Sequence, residues 1–255
     1  MTGQHPGQGG CPGTRGGAAV LRPARLLPSW RSALAVVAHP DDETFGLGAL
    51  IDRLTASGTA VHVLCFTRGE ASTLNENDSD LSQARVRELQ LASSALGVAA
   101  VTLLNYPDSR LVGIPPAELA AQVTRLAALA RPDGLLVFDD TGITGHPDHQ
   151  AATRAAVLAA GAAGLPVLAW TLPDAIAGRL REETGGAFAG QPPGHIDLCV
   201  RVDRAAQRRA ALLHASQISP AAVLWRRLQL QGDCEHLRWL VLPGGAVAAG
   251  GVTET

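Results

Sequence analysis

The sequence predicts an α/β fold, a three-layer sandwich in which helices cover both faces of a mostly parallel β-sheet. Short aliphatic and β-branched runs alternate with longer stretches rich in alanine and leucine. This alternation implies right-handed crossovers between parallel strands. The strand-like runs are apolar throughout, as expected for strands that are buried on both faces.

The predicted elements alternate from residue 34 to residue 170, in a Rossmann-like order. Glycines end two of the helices, at Gly58 and Gly97, and Pro116 lies at the first turn of a third. The predicted strands are 34–38, 60–66, 101–105, 135–138 and 166–170, and the predicted helices are 47–57, 80–96, 116–130 and 149–160.

Beyond Pro173 the pattern is less regular. A loop rich in glycine and proline at 185–194 is followed by a predicted strand at 195–202, a helix at 203–217 that Asp203 caps, a helix at 220–230 and a last strand at 237–242. The sequence contains no internal repeat or clear linker. We therefore expect one domain over residues 31–245, between a disordered Gly/Pro-rich tail at 1–30 and a flexible C-terminus at 246–255.

The composition excludes several classes of function. The chain has 255 residues, a net charge of −2 and 21 basic residues, none of which is lysine. Schiff-base, P-loop-lysine and lysine-nucleophile chemistry are therefore excluded. Nothing indicates a nucleic-acid or polybasic membrane surface, and no apolar run approaches the roughly 20 residues that cross a bilayer.

The four cysteines are widely spaced and show no metal-binding pairs. Cys65 lies inside an apolar run, where we expect it to be a small buried side chain. These features favour a reduced, cytoplasmic protein that acts on a small molecule, without a nucleic-acid or membrane partner. A homo-oligomer is compatible with the sequence.

Two clusters rich in histidine and aspartate follow predicted strands. His39-Pro40-Asp41-Asp42-Glu43 comes after the strand at 34–38, and Gly145-His146-Pro147-Asp148-His149 comes after the strand at 135–138. Ligands in parallel sheets bind at the carboxyl ends of the strands, so we expect the two loops to share one site. Imidazole and carboxylate together suit Zn²⁺, which in catalytic sites takes three protein ligands and leaves a position for water.

These residue types predict hydrolysis at a metal ion. Such an ion would lower the pKa of its water to about 7 and polarise a carbonyl. Asp41, next to the metal, can take the proton from that water, and His146 remains as an acid or oxyanion stabiliser. The same ligands accept Fe²⁺, and the choice of metal depends on supply and geometry. The predicted metal ligands are His39, Asp42 and His149.

Structural roles are the alternatives for single residues of these clusters. Asp41 or Asp42 could cap the helix that follows, and a histidine at a strand end is commonly a hydrogen-bonded loop residue. Neither alternative explains two matched strings of histidine and aspartate.

At these residues the chain resembles the LmbE-like, PIG-L-type zinc-dependent N-deacetylases. That family includes deacetylases of mycothiol, bacillithiol and glycopeptide-antibiotic biosynthesis. The resemblance covers residues 34–160, and His214-x-x-Gln217 is a fainter match to a later family segment. The matching strings, in the order of the family, are 38–43, 67–70, 85–89 with 96–97, 106–108 and 145–149.

The resemblance implies roles for the residues of the two clusters. Asp41 would be the general base, and His146 would stabilise the tetrahedral intermediate and protonate the leaving amine, with Asp148 orienting it. Zinc would be held by His39, Asp42 and His149.

The resemblance also implies contacts with the substrate, from Arg85 and Asp108 and, less specifically, from Arg68. The structural alternatives are a solvated helix charge for Arg85 and a turn carboxylate for Asp108. Arg68 and Glu70 could instead fasten a loop.

One position departs from the pattern. Some family members have a tyrosine two residues before the histidine that corresponds to His146, and this chain has Thr144 there. A threonine does not reach as far toward a developing oxyanion, so either His146 acts alone or another residue replaces the tyrosine. This departure weakens a direct assignment to the mycothiol-pathway enzyme.

The sequence therefore predicts a metal-dependent N-deacetylase that removes acetyl from an N-acetylglucosamine-type sugar conjugate. Within enzymes, the alternative is an amidase for a larger sugar-linked amide, such as a thiol conjugate or an acylated glycopeptide. A catalytically idle sugar-binding relative is disfavoured because Asp41 is retained. A nucleotide-binding Rossmann module is disfavoured because no glycine fingerprint follows the first strand, and Asp41 and Asp42 there would repel a pyrophosphate.

Overall fold

The computed structural model describes residues 26–74, 80–219 and 222–244. Their centre is a seven-stranded sheet in the order β3-β2-β1-β4-β5-β7-β6. Strands β1 to β5 pair in parallel, whereas β7 is antiparallel to both of its neighbours. The strands are β1 Ser32–Val37, β2 Ala60–Thr67, β3 Ala100–Tyr106, β4 Gly134–Phe138, β5 Val167–Thr171, β6 Leu198–Arg201 and β7 Cys234–Val241.

Helices cover both faces of this sheet and create two apolar cores. Ala33, Ala35 and Val37 of β1 point into one core, and Leu34 and Val36 point into the other. This alternation explains why the whole strand is apolar. Helices α2, α3, α7 and α8 pack in the first core, and α4 and α6 pack in the second. The helices are α1 Asp42–Phe45, α2 Gly48–Ala56, α3 Leu81–Ala95, α4 Pro116–Ala130, α5 Gly142–Gly145, α6 Pro147–Ala163, α7 Asp174–Thr184, α8 Ala205–Ala211 and α9 Val223–Gln231.

The predicted α/β fold with a mostly parallel sheet is confirmed. The largest differences lie in the second half of the chain. Helix α7 was not predicted, and the helix predicted at 203–217 ends at Ala211. The strand predicted at 195–202 is limited to β6, and the last strand begins earlier, at Cys234.

Parts of the predicted domain organisation lie outside the described residues. These are most of the tail predicted at 1–30 and all of the C-terminus predicted at 246–255. Within the described ranges, no helix combines the length and the apolar character needed to cross a membrane. Cys65 is fully buried in β2, as expected.

The order of the strands creates a crevice at the carboxyl ends of β1 and β4. The chain passes from β1 to β2 and β3 on one side, and then returns to place β4 on the other side of β1. The loops that follow β1 and β4 therefore diverge, and such a switch point is where ligands bind in open α/β sheets. Both clusters of histidine and aspartate lie in these two loops.

Candidate metal centre

The loop after β1 turns the side chain of Asp42 back toward the strand. Its Oδ2 accepts hydrogen bonds from the backbone N–H groups of Ala38, at 3.1 Å, and His39, at 2.9 Å. Asp41 occupies the N-cap position of α1, but its side chain makes no capping hydrogen bond. The capping alternative therefore does not describe Asp41, and Asp42 fastens the loop that precedes the helix.

The three predicted ligands converge. His149 Nε2 lies 3.1 Å from Asp42 Oδ1, and His39 Nδ1 lies 3.6 Å from Asp42 Oδ2. One ligand atom from each of the three residues lies within 4.8 Å of the others. The first turn of α6 presents His149, whose Nδ1 is 3.1 Å from the carbonyl oxygen of Gly142. This contact orients the ring and leaves Nε2 facing Asp42.

The second nitrogen of His39 also has carboxylate partners. Nε2 lies 3.1 Å from Asp108 Oδ1 and 3.3 Å from Asp148 Oδ2. Asp148 is fully buried, and its other oxygen accepts a hydrogen bond from the N–H of Leu111. A carboxylate on the distal nitrogen of a metal-binding histidine fixes the ring and makes it a stronger ligand. We interpret Asp108 and Asp148 in this way, although together with His39 they form a second group that could hold a cation.

This geometry differs from the role that the family resemblance implies for Asp148. The carboxylate lies against His39 rather than His146. The contact with His146 comes from the backbone, since the N–H of Asp148 donates to His146 Nδ1 at 3.2 Å. Asp148 therefore orients His146 through its amide, as part of the cap of α6, and orients His39 through its side chain.

The charges of the site favour a cation. Burial alone would lower the pKa of His39, but hydrogen bonds with Asp108, Asp148 and Asp42 raise it well above its ordinary value. Burial alone would raise the pKa of Asp42, but His149 and His39 hold it well below its ordinary value. The site thus concentrates negative charge around two imidazoles. This donor set fits a divalent metal ion.

Asp41 precedes the predicted ligand Asp42 in the chain, and Arg85 contacts its carboxylate. Arg85 Nη2 is 3.0 Å from Asp41 Oδ2 and also donates to the carbonyl oxygen of Pro40, while Nη1 donates to that of Gly69. The pKa of Asp41 is raised to about 6, mainly by burial. The positive charge of Arg85 opposes this rise, and the negative charge of Asp42 adds to it. A pKa near the operating pH suits a residue that accepts and returns a proton.

The three residues predicted to contact substrate lie in different settings. Arg85 is only 4% exposed, so it is not a solvated helix charge, and a direct contact with substrate would require it to exchange an internal hydrogen bond. Asp108 contacts His39 and accepts a hydrogen bond from the N–H of Ala71. Arg68 is half-buried, and its Nε has no hydrogen-bond partner among the residues that the structure describes. Glu70 accepts a hydrogen bond from the N–H of Asp108 and so fastens this loop.

His146 packs against both histidines that are predicted to be metal ligands. Its ring stacks on His149 at 4.6 Å between centroids and meets His39 edge-on at 4.8 Å. Burial, followed by the charges of His149 and His39, lowers the pKa of His146. Because Nδ1 accepts the hydrogen bond from the Asp148 amide, we assign the proton of the neutral ring to Nε2.

Sequence reasoning did not assign roles to two buried residues near this loop. Glu43 and His214 are both 0% exposed, and His214 Nε2 lies 2.8 Å from Glu43 Oε1. The available signals were the glutamate within the first cluster and the faint match at His214-x-x-Gln217. Neither signal indicated that the two segments touch.

The fold and the site together define a class, α/β proteins with a His/Asp metal-binding group at the carboxyl edge of a mostly parallel sheet. Comparison with known proteins narrows this class. The profile of the PIG-L family, described as GlcNAc-PI de-N-acetylase, matches residues 34–160. The 1D-myo-inositol 2-acetamido-2-deoxy-alpha-D-glucopyranoside deacetylase of Tsukamurella paurometabola is 32% identical, over 75% of this chain and 84% of that relative. The chain belongs to the PIG-L family.

Two further comparisons show how much of the chain is similar to known proteins. The enzyme of the same name from Kineococcus radiotolerans is 32% identical over 72% of this chain, which spans 66% of that relative. The solved structure of the zinc-inhibited form of teicoplanin deacetylase Orf2 superposes with a TM-score of 0.64. The sequence identity is 21%, and the match covers 82% of this chain and 97% of the teicoplanin deacetylase chain. At that identity the structural match shows a shared fold.

Proposed function

We propose that the protein is a zinc-dependent hydrolase that removes the acetyl group from an N-acetylglucosamine-type sugar conjugate, giving acetate and a free amine. The observation that carries this proposal is the position of Asp41. Its carboxylate, with a pKa of about 6, belongs to the residue before Asp42 and interacts electrostatically with Asp42 and His39, which with His149 are the residues that would hold the metal. When bound, Zn²⁺ would polarise the amide carbonyl and acidify water.

Asp41 performs the proton transfers in this proposal. Its carboxylate takes a proton from the attacking water and returns it to the amide nitrogen as the carbon–nitrogen bond breaks, so the protonation that the resemblance gives to His146 is assigned to Asp41 in this proposal. Arg85 orients the carboxylate and limits the rise of its pKa. Ionised at neutral pH and protonated after the attack, Asp41 can serve as base and then as acid.

His146 stabilises the oxyanion. Its lowered pKa keeps the ring neutral at pH 7, and the proton on Nε2 is then free to donate a hydrogen bond. Thr144 is exposed, and the single tyrosine of the chain, Tyr106, has its hydroxyl against Gln122 of α4. The chain therefore offers no tyrosine for this task, and we assign it to His146 alone.

The curated relatives support the substrate class. Their names specify a 2-acetamido-2-deoxyglucoside of inositol, which makes that compound the first to test. An amidase acting on a larger sugar-linked amide is the alternative, and Fe²⁺ is the alternative metal because the same donors accept it. The cytoplasmic location and the homo-oligomer stay predictions.

Release of free amine from a panel of N-acetylglucosaminyl compounds tests the proposal. The panel holds inositol, malate, glycopeptide and simple sugar conjugates, each with an aliquot treated with chelator and an aliquot to which Zn²⁺ or Fe²⁺ is returned. We expect release from at least one compound, loss of release with chelator, and recovery with metal. Release that survives full removal of the metal would contradict a metal-dependent reaction. A metal-loaded protein that releases nothing from any compound would favour the larger amide or a binding role.

A further inference from the structure

Asp41 has a backbone conformation that the rest of the protein must hold in place. Its φ is 118° and its ψ is −29°, a region that favours glycine. Such a conformation is strained for other residues and persists only where surrounding contacts enforce it. The strain lies at the residue whose carboxylate is proposed to act as base, so the contacts that enforce it decide where that carboxylate points.

Glu43 provides one of these contacts. Its Oε2 accepts a hydrogen bond from the N–H of Asp41 at 3.0 Å. Its other oxygen, Oε1, accepts one from the hydroxyl of Thr44 at 2.5 Å and faces His214 Nε2 at 2.8 Å. The carboxylate is fully buried, so its orientation is set by these partners rather than by water.

His214 reaches this carboxylate from a distant part of the chain, 171 positions after Glu43. It follows α8, and its ring lies edge-on to Phe45 with 5.5 Å between centroids. Its backbone is fixed as well, because its carbonyl oxygen accepts hydrogen bonds from the N–H groups of Gln217 and Ile218. The imidazole therefore presents Nε2 to Glu43 from a rigid support.

Two more side chains from the same part of the chain hold the adjoining backbone. Gln207 Nε2 donates to the carbonyl oxygens of Thr44 and Phe45, and Arg227 Nη2 donates to that of Phe45. Gln207 is fully buried, and Arg227 is 5% exposed. The turn of α1 is thus fastened from outside its own loop, with His214 as the contact that leads to Asp41.

We propose that His214 is a positioning residue: by donating to Glu43, it holds the carboxylate that in turn holds the strained backbone of Asp41 and aims the base. This inference rests on the proposed function only in naming Asp41 as the base. The chain of contacts from His214 through Glu43 to the Asp41 amide stands independently of the substrate. If His214 served only in folding, turnover of the folded protein would not depend on which polar group stands at residue 214.

Two substitutions separate positioning from packing. His214→Met fills the buried space without a hydrogen-bond donor, whereas His214→Gln keeps an N–H at about the reach of Nε2. We expect His214→Met to lower kcat about 10- to 100-fold, the size of effect that a misplaced group produces, with KM within about twofold of wild type. We expect His214→Gln to recover most of this loss. His236→Met is the control for loss of a half-buried imidazole outside the site and should keep wild-type kcat.

The second readout is hydrogen exchange at the Asp41 amide in the zinc-loaded protein, with metal content measured alongside. We expect faster exchange in His214→Met, wild-type exchange in His214→Gln, and equal metal content in all three proteins. Wild-type kcat and exchange in His214→Met, or an equal loss in both variants, would overturn the proposal. If the wild type turns over no substrate but the exchange pattern is as expected, the proposed function fails and the positioning role stands.

Thr44→Val provides a test that does not depend on the folding of a His214 variant. Valine has nearly the shape of threonine, and the substitution removes the hydroxyl that shares Glu43 Oε1 with His214. We expect a change in the same direction and of smaller size, about 2- to 10-fold in kcat, with faster exchange at Asp41. Unchanged kcat and exchange in this variant would show that the orientation of Glu43 does not control Asp41.

Discussion

The two sides of the sheet contribute different things to the site. The region from β1 to α6, residues 32–163, contains the proposed ligands, base and oxyanion donor within two short loops. The region from β5 to β7, residues 167–241, contributes Gln207, His214 and Arg227, which bind the backbone or the glutamate of the first loop from 162 to 182 positions away.

Catalytic groups and the groups that position them therefore leave different patterns in the sequence. The reacting groups must be adjacent to one another, so they appear as short strings at the ends of strands. The groups that hold them in place need only reach the loop from the surrounding fold, and their positions depend on how α8 and α9 pack. We therefore expect substitutions in the first region to change turnover, and substitutions in the second region to change mainly stability, apart from His214.

The largest expected effect is that of Asp41→Asn. The amide has the size of the carboxylate but cannot accept a proton, so kcat/KM should fall about 10²- to 10⁴-fold, the usual contribution of a general base. Metal content, measured by elemental analysis, should not change, because Asp41 is not among the proposed ligands. Asp52→Asn on α2 is the control for loss of a carboxylate. Retention of full activity by Asp41→Asn would remove Asp41 as the base.

The next effect tests whether the second region acts mainly through stability. Glu235 is fully buried and binds Arg204, Trp170 and Gln231. Glu235→Gln leaves the guanidinium of Arg204 buried without its countercharge, and we expect the free energy of unfolding to fall by about 3 kcal/mol. Urea unfolding measures this change, and kcat at a temperature well below the transition should stay near the wild-type value.

A double variant is the control for this interpretation. Adding Arg204→Met to Glu235→Gln removes the unpaired charge, so part of the lost stability should return. A further loss instead would mean that Arg204 stabilises the protein through its bonds to Gly232 and Cys234 rather than through the ion pair. A large fall in kcat for Glu235→Gln would contradict the division between the two regions.

A smaller effect is expected on the pH dependence of stability, from an ion pair between the two regions. Asp139 follows β4, and Arg238 of β7 binds both Asp139 and Asp140. Burial alone would raise the pKa of Asp139, but Arg238 and the Thr141 amide hold it below its ordinary value. The stability it contributes is therefore fully present above the unfolded-state pKa of about 3.9, and it is lost as the pH falls through the lower pKa of the folded state.

Urea unfolding between pH 6 and pH 2 measures this contribution. Asp139→Asn should flatten the acid side of the stability profile. The pKa of Asp140 is shifted in the opposite direction, because burial raises it. Protonation of Asp140 as the pH falls therefore favours the folded state. Asp140→Asn is therefore the matched control and should keep the acid-side loss. Equal profiles in the two variants would show that Arg238 does not distinguish the two carboxyls.

The two regions also differ in how much of their structure the sequence predicts. Helix α4 has the predicted bounds, 116–130, because a proline at its start and a stretch rich in alanine and leucine define it locally. Helix α7 was missed because Gly178 and its many charged residues obscure the apolar face formed by Ala177 and Leu180. The helix predicted to reach residue 217 ends at Ala211, since Leu212 and Leu213 are exposed and His214 turns inward to Glu43.

At the site, the convergence of His39, Asp42 and His149 was predictable because strand ends share one edge of the sheet. The contact of Arg85 with Asp41 was not, because it depends on how α3 packs beside the first loop. The approach of His214 to Glu43 depends in the same way on the packing of the distant α8. Sequence patterns show which groups are present, and tertiary packing decides which of them support the others.

The smallest expected effect belongs to an ion pair at the surface of the second region. Glu183 of α7 binds Arg226 of α9, and also Arg179 one turn earlier. Exposed pairs of this kind contribute little because water and salt screen them and the side chains lose freedom. Glu183→Gln should leave the thermal midpoint and kcat unchanged at both low and high salt, as differential scanning calorimetry and the amine-release assay can show. A clear fall in the midpoint would mean that contacts between α7 and α9 on the outside of the protein, and not only the buried Arg204–Glu235 pair, hold this region in place.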